Sequence, residues 1–260
     1  RERFAQRIER PGIQELNPFL NRGNAQYITI GNPDLRPSVT NNFEFSYGNF
    51  NKGSITLSTN YSFANNTIQN VTAVDKSTGV TTTTFANIGK NRGLGFDANI
   101  NYPITPKLNV NINAELLHVW LEGNYNGEFY KKKGFQGHMF TYTSYKFDNG
   151  YRLGLNLGFD SRYVLLQGTD NNYFDSGINV SKEVFSKKGT ISLGVRNPFS
   201  QYIKLDYTYQ STQFRQSSIN YGFYRSFNIG FNYKFGRLNS EIKKNQRGIN
   251  NDDKSSGGKN

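Results

Sequence analysis

Two segments of this chain alternate apolar and polar residues without interruption, and no other feature constrains the fold as strongly. In residues 151–159, YRLGLNLGF, every odd position is Tyr, Leu or Phe and every even position is Arg, Gly or Asn. Residues 227–235, FNIGFNYKF, repeat the pattern. A period of two places successive side chains on opposite faces of a β-strand, whereas a helix buries its apolar stripe with a period near 3.6. The chain is therefore predicted to be all-β.

Weaker copies of this alternation predict an antiparallel sheet of about ten strands, separated by turn signals rich in Asn, Gly, Pro and Lys. Short turns are predicted at 49–53, 103–107, 148–150 and 186–189. Polar connections on the other rim are predicted near 10–37, 75–79, 122–134, 164–172 and 209–218, and all of these except 75–79 are long. The predicted strands are residues 1–9, 38–48, 54–74, 80–102, 108–121, 135–147, 151–163, 173–185, 190–208 and 219–235.

Short and long connections alternate along the chain, as they do in an up-and-down transmembrane β-barrel. Most predicted strands reach the ~9–11 residues that a tilted strand needs to cross the hydrocarbon. The apolar face carries Phe and Tyr near the strand ends with Leu or Ile between them, which is typical of aromatic girdles around a lipid-facing band. A soluble sandwich would fill that face with Val, Ile and Leu. The polar face, rich in Asn, Gly and Ser, suits a wet or plugged lumen.

The composition agrees with a membrane wall of this kind. The 260 residues combine 15% aromatic residues with a mean hydropathy of −0.69 and a net charge of +12. The absence of Cys excludes disulfides and thiolate metal sites, and no apolar run is long enough for a membrane-spanning helix. The chain starts at Arg1 without a signal peptide, so we expect it to be a segment of a longer protein.

The last 25 residues differ from the rest of the chain. Residues 236–260 have no aromatic residue and no periodicity, and they end in SSGGKN. Their six Lys and Arg outnumber three acidic residues. We predict a flexible, basic, periplasmic tail after a barrel segment of residues 1–235.

Several motifs resemble TonB-dependent receptor-like outer-membrane proteins, in particular the Bacteroidetes-type outer membrane protein beta-barrel family. RPGIQELNPF at 10–19 and GNPDLRP at 31–37 precede the strand NFEFSY at 42–47, and NIGK at 87–90 precedes GLGFD. Ser38 departs from the acidic residue that the family often has there. The motif residues, expected to be structural because proline stiffens the chain, are Gly31, Asn32, Pro33, Leu35, Arg36 and Pro37. The aromatics of the expected closing strand are Phe227, Phe231, Tyr233 and Phe235.

This resemblance implies an up-and-down barrel of about 22 strands, with residues 1–235 as its C-terminal portion. It implies a receptor or transporter that takes up a bound substrate across the outer membrane with energy from the inner membrane. The implied partners are outer-membrane lipid, an N-terminal plug and the remaining strands of the parent chain, an inner-membrane energy-coupling complex reached through the N-terminal part, and barrel-assembly machinery reached through the closing strand. Two alternatives remain: a non-transporting structural or assembly barrel, and a complete ten-stranded barrel closed by residues 1–9 against 219–235.

Residues that could carry chemistry are sparse, and neither an enzyme nor a catalytic, cofactor or metal site is predicted. His118, one of two histidines, shares a face with Leu116 and Trp120 and is expected at the membrane interface. The basic residues are dispersed, which argues against nucleic-acid binding. The run at 131–133 is expected in an external loop, either solvated or attracting acidic lipid or an anionic substrate. The candidates for the lumen, which would line a solute path, contact the plug or pair across strands, are Asp97, Glu115, Arg152 and Lys234.

Overall fold

The computed structural model describes residues 1–19, 21–211 and 214–235, without the side chains of 21–24. The predicted tail, residues 236–260, lies outside the described residues. The elements are β1 (Glu2–Glu9), α1 (Ile13–Leu16), β2 (Asn21–Asn24), β3 (Tyr27–Thr29), β4 (Ser38–Asn49), β5 (Ser54–Val74), β6 (Thr81–Pro103), β7 (Leu108–Tyr125), β8 (Glu128–Lys146), β9 (Tyr151–Asp160), β10 (Val164–Leu165), β11 (Gly168–Thr169), β12 (Tyr173–Val184), β13 (Gly189–Arg196), β14 (Tyr202–Gln210), β15 (Arg215–Phe223) and β16 (Ser226–Tyr233). Within these ranges, no helix has the length and apolarity to cross a membrane.

Ten strands form one antiparallel path in the order β1-β4-β5-β6-β7-β8-β9-β12-β13-β16, and the short β2 and β3 complete a twelve-stranded sheet. The predicted all-β, up-and-down antiparallel architecture is confirmed. Among the described residues, β1 pairs only with β4 and β16 only with β13. The sheet is therefore an open wall, and the alternative of a complete ten-stranded barrel is wrong for this structure.

The register assigns the two kinds of side chain to opposite faces of the wall. Phe96 on β6 lies opposite Leu116 on β7, and the side chains are 56% and 50% exposed. We call their face the outer face and the face of Asp97 and Glu115 the inner face. Large apolar side chains left this exposed are stable against lipid rather than water. The rim with the short turns at 50–53, 104–107, 147–150 and 185–188 is assigned to the periplasm, and the opposite rim to the extracellular side.

The hairpin of β7 and β8 extends further toward the extracellular rim than the sequence predicted. Residues 122–134 were expected to form a loop, but β7 continues to Tyr125 and β8 starts at Glu128. Asn126 and Gly127, with φ of 49° and 80°, form the tight turn between them, since Asn and Gly both tolerate positive φ. The three lysines therefore lie in a strand, where Lys132 faces inward and its two neighbours face outward.

The predicted strands 190–208 and 219–235 are wrong as continuous strands, because each is divided between two sheets. β13 ends before Asn197, whose φ of 50° and following proline prevent continuation. The Asn197 side chain accepts a hydrogen bond from Ser176 N at 2.8 Å and donates one to Tyr224 O at 3.2 Å. The Asn197 side chain therefore links β12 to the two points where the predicted strands are interrupted, after β13 and between β15 and β16. The detached β14 and β15 form a second sheet in the order β10-β11-β14-β15.

Candidate functional site on the inner face

A row of polar side chains crosses the inner face between its two rims. Asp97 on β6 lies opposite Glu115 on β7, which lies opposite His138 on β8, followed by Asp160 on β9. Asn60 donates a 2.9 Å hydrogen bond to Asp97, and His138 Nδ1 lies 3.4 Å from a Glu115 carboxylate oxygen. The row combines three carboxylates with one imidazole, so it presents mainly hydrogen-bond acceptors to the lumen.

The four lumen candidates from the sequence do not form one cluster. Asp97 and Glu115 are direct cross-strand neighbours with the same charge, so they cannot form the expected ion pair with each other. Arg152 lies on the inner face near the periplasmic rim, opposite Lys146, and Lys234 follows the end of β16. The structure thus brings together two of the four candidates and places the other two far from them, Arg152 on β9 and Lys234 just beyond β16.

The connection between β9 and β12, residues 161–172, folds over the inner face. Leu166 is 2% exposed. A Cβ added to Gly123 would lie 2.9 Å from Leu166 Cδ2, and one added to Gly134 would lie 3.0 Å from Val164 Cγ2. The two glycines, on neighbouring strands, therefore leave the space that the connection occupies. We call residues 161–172 the inward connection.

Gln167 fastens the inward connection to both sheets. Its side chain is 2% exposed, and its Oε1 accepts a 2.8 Å hydrogen bond from Thr72 N on β5. Its backbone carbonyl accepts a 2.7 Å hydrogen bond from Gln210 N at the end of β14. A Cβ on Gly168 would collide with the Thr208 carbonyl oxygen, so β11 also approaches β14 closely. The inward connection thus links the second sheet to the wall.

A cavity of about 370 Å³ lies beneath the inward connection. One part of its lining is apolar, and the other carries amides, hydroxyls and the charged residues Glu9 and Arg92. Among the other lining residues are Leu117, Val119, Leu121, Leu165, Thr67, Gln69 and Asn91. Gln69 Nε2 donates to Thr67 Oγ1 at 2.9 Å, and Thr67 Oγ1 donates to Asn91 Oδ1 at 3.1 Å. Such a pocket suits a solute with one apolar and one polar side. In the described part of the chain, no group of three or more His, Asp or Glu could hold a metal ion.

Sequence reasoning missed this cavity, although β7 carries a signal for it. Residues 108–116 alternate, but Leu116 and Leu117 are consecutive leucines, and Val119 and Leu121 continue an apolar series on the polar face. Val119 and Leu121 are each 7% exposed. An apolar inner face near one rim indicates a cover from within the lumen, and here the cover is the inward connection.

Gly31 and Asn32 of the family motif hold the chain against α1. Gly31 N donates to Asn17 O at 2.8 Å, and Asn32 N donates to Glu15 O at 2.6 Å. A Cβ on Gly31 would lie 2.7 Å from Glu15 O and closer still to the backbone of Asn17. Leu35, which is 9% exposed, is the buried apolar residue of the motif. These contacts are made within the chain, which favours the structural role expected for the motif.

Other residues of the motif connect it to β6. Asn32 Nδ2 donates to a β6 carbonyl at 2.9 Å. Arg36 N donates to Asn87 Oδ1 at 2.7 Å, and Asn87 Nδ2 donates back to Arg36 O at 2.8 Å. Pro33 and Pro37 are exposed. The NIGK motif starts at Asn87, so two motifs far apart in the sequence are joined by hydrogen bonds between the Asn87 side-chain amide and the main chain of Arg36.

The aromatic candidates lie on the outer face. Phe227, Phe231 and Phe235 are 78%, 63% and 88% exposed, and the ring centroids of Tyr233 and Phe235 are 4.8 Å apart. His118 contacts Trp120 and Phe135 edge-on, with centroid distances of 4.2 and 4.5 Å. We call these three residues, His118, Trp120 and Phe135, the aromatic layer of β7 and β8. Aromatic side chains on the lipid-facing side near a rim are typical of a membrane interface, and the interfacial position of His118 stays a prediction.

The extracellular β5–β6 turn contains one strongly perturbed carboxylate. The Ser77 hydroxyl (2.7 Å), together with the Thr78 hydroxyl and Ser77 N–H, lowers the pKa of Asp75 to about 2. Because the pKa is below that of the unfolded chain, the turn is stabilised above the unfolded value of 3.8 and loses this contribution as the pH falls through about 2. We expect the Gly79 amide, which donates to Asp75 O, to keep its hydrogen-exchange protection down to about pH 4 and lose it near pH 2. Loss already at pH 4, or the same profile in Asp75→Asn, would contradict this.

Comparison with known proteins agrees with this architecture. Residues 3–233 match the Outer membrane protein beta-barrel family. The crystal structure of the siderophore receptor PirA from Pseudomonas aeruginosa matches 88% of this chain at 17% identity with a TM-score of 0.54. The outer membrane transporter YddB from Escherichia coli matches 82% at 13% identity with a TM-score of 0.45. These likenesses concern the fold, and this chain spans 38% and 35% of the two structures. A comparison with curated proteins found no match.

The family match covers all ten strands of the main path, and the likeness to PirA extends over most of the chain. The apolar outer face, the polar inner face and the alternation of short and long connections are those of an outer-membrane wall. The resemblance inferred from the motifs is thus confirmed at the level of family and fold. The chain belongs to the Outer membrane protein beta-barrel family, and its location is the outer membrane.

Proposed function

We propose that this chain is the C-terminal portion of a larger outer-membrane barrel that takes up a bound solute. The observation that carries the proposal is the inward connection, which projects over the lumen and encloses a cavity of about 370 Å³ against the wall. A barrel that serves only as a wall does not need an extracellular connection buried on its inner face. A receptor does, because such a connection narrows the lumen and provides a surface on which a solute is held.

The polar character of the inner face supports a passage below this cavity. The row of Asp97, Glu115, His138 and Asp160 lies between the cavity and the periplasmic rim. Its acceptors suit either a solute with hydroxyl or amine donors or the surface of a plug domain. In this proposal the cavity selects the solute and the row lines the path beneath it.

The open edges of the wall indicate where the remaining barrel lies. The outer edges of β1 and β16 have unpaired N–H and C=O groups within the described residues, which lipid cannot satisfy. We propose that further strands of the parent chain pair with both edges. The plug, the inner-membrane energy-coupling complex and the barrel-assembly machinery belong to the same proposal, as partners implied by the family resemblance and by the receptor with a similar fold.

A growth experiment with the full-length parent tests this function. A strain that lacks the parent gene is grown on a panel of single carbon, nitrogen and iron sources, with and without the restored gene. We expect a defect limited to one class of source, which the wild-type gene restores and a gene without the segment upstream of the barrel does not. If all sources support equal growth while the envelope becomes sensitive to detergent, the structural-barrel alternative is favoured.

A further inference from the structure

The outer face carries a groove of about 490 Å³ across β6, β7, β8 and β9. Its floor is formed by small residues and its walls by large apolar ones, namely Ala98, Ala114 and Gly137 for the floor and Phe96, Leu116, Met139 and Phe159 for the walls. A Cβ on Gly137 would collide with the Glu115 carbonyl oxygen and lie 3.2 Å from Leu116 Cα, so the backbones of β7 and β8 approach closely here and leave a low floor between the walls. A depression between apolar walls of this size accommodates a hydrocarbon chain better than a flat barrel surface does.

Four cations lie above the groove on the same face. Arg92 and Lys133 flank Trp120 in the register, and Lys90 and Lys131 flank Glu122 one step further toward the extracellular rim. All four cations are exposed, and we call Arg92, Lys133, Lys90 and Lys131 the cationic cluster. Lys131 forms a 2.7 Å ion pair with Glu122, whose carboxylate also interacts electrostatically with Arg92 and Lys90. One carboxylate against four cations leaves the cluster strongly positive.

The groove, the aromatic layer and the cationic cluster follow one another along β7. Leu116 lies in the groove and His118 in the aromatic layer. Trp120 and Glu122 each lie between two cations of the neighbouring strands. From Leu116 to Trp120 the strand rises roughly 14 Å at ~3.4 Å per residue, or about 10 Å along the membrane normal at the usual tilt of 35–45°. The order from periplasmic to extracellular is thus apolar, aromatic and cationic, which is the order of acyl chains, interface and anionic headgroups in an outer leaflet.

We propose that this surface binds a phosphorylated, acylated glycolipid of the outer leaflet, with the chemistry of the lipid A part of lipopolysaccharide. An acyl chain lies in the groove between Phe96 and Met139. A headgroup phosphate accepts charge-assisted hydrogen bonds from Arg92 and Lys133. The cluster serves lipid rather than a transported anion, because its side chains point away from the lumen. The proposal rests on the outer-membrane location and not on uptake, so either can fail without the other.

Binding is tested with the full-length parent, purified in detergent and titrated with lipid A or dephosphorylated lipid A while native mass spectrometry counts bound lipid. The variant R92Q/K133Q removes two cations from the outer face. The matched control K132Q/R152Q removes the same two residue types from the inner face. We expect R92Q/K133Q to bind lipid A at least about tenfold more weakly than the wild type does, and the control to bind it as the wild type does. Dephosphorylated lipid A should bind weakly to the wild type. Equal losses in both pairs, or equal binding of the two lipids, would overturn the proposal.

Two further substitutions separate binding from folding. Glu122→Gln removes the counter-charge of the cationic cluster, so lipid A binding should become several-fold tighter, a gain that misfolding cannot produce. Ala114→Phe fills the groove without changing charge and should weaken binding several-fold, whereas Ile112→Phe, at the next outward position of the strand, should not. Heat-modifiable migration confirms that each variant is folded. Unchanged binding in both Glu122→Gln and Ala114→Phe would reject the site.

Discussion

The Gly31→Ala variant of the full-length parent is expected to assemble poorly in the outer membrane. The added methyl group would lie against the backbone of Asn17 and 2.7 Å from Glu15 O. Backbone atoms cannot move aside as a flexible side chain does, so the hydrogen bonds of Gly31 and Asn32 to α1 would be lost. Overpacking of this kind costs roughly 1–3 kcal/mol. We expect a lower urea midpoint of unfolding and a several-fold smaller heat-modifiable fraction in isolated membranes.

Gly222→Ala is the control for this variant. A Cβ on Gly222 of β15 would meet only Ile203 Cγ2, at an ordinary 3.6 Å. The same chemical change is therefore accommodated there, and alanine also restricts the unfolded chain. We expect a midpoint within experimental error of the wild type or slightly above it. If Gly31→Ala behaved as Gly222→Ala does, the close approach of the motif to α1 would be refuted.

The second large effect is expected at Leu166, the buried residue of the inward connection. Leu166→Ala truncates a residue that is 2% exposed and whose side chain occupies the space next to Gly123. Truncating a buried leucine costs about 2–5 kcal/mol. Here this cost destabilises the closed state, in which the inward connection packs on the inner face, relative to an open state in which it has detached. A loss of ~2 kcal/mol raises the open fraction roughly thirtyfold. We therefore expect trypsin to cleave after Arg162 at least tenfold faster in the folded parent protein.

Phe199→Ala supplies the comparison for Leu166→Ala. Phe199 lies in another long connection at the same rim but is 84% exposed, so its removal leaves no cavity. Cleavage after Arg162 should stay at the wild-type rate, and the Leu166→Ala barrel should still show heat-modifiable migration. Equal cleavage in wild type and Leu166→Ala would show that the inward connection is not held by this residue.

Most of the main sheet could be predicted because its information is local. In segments such as β9, the alternation in the sequence states which side chains share a face, and neighbouring strands joined by short turns have few alternative partners. The motif at 31–37 and the aromatics at 227–235 could be picked out for the same reason, since each is a continuous stretch of sequence, and their predicted roles stay predictions. The contact between Arg36 and Asn87 could not be predicted, because it joins residues 51 positions apart.

The failures share a physical cause. Residues 190–208 alternate well enough to resemble one strand, but Asn197 adopts a left-handed conformation because its side chain is buried between Ser176 and Tyr224. Residues 122–134 are polar enough to resemble a loop, yet they continue a hairpin above the hydrocarbon, where both faces of a strand can be hydrated. In each case the deciding partner lies elsewhere in the chain, and a local pattern contains no record of it.

The sequence by itself determined the fold class, the face on which the residues of the regularly alternating strands lie and the membrane environment, since a period of two and an aromatic surplus are properties of consecutive residues. Only the tertiary structure decided that residues 161–172 cover the inner face, that Leu117, Val119 and Leu121 line a cavity, and that cations from β6 and β8 converge around Trp120. These features depend on register and on long-range contact. Cross-strand neighbours are set by which strands pair and how far each one slides, and hydrophobic alternation restricts that choice without specifying which distant side chains meet.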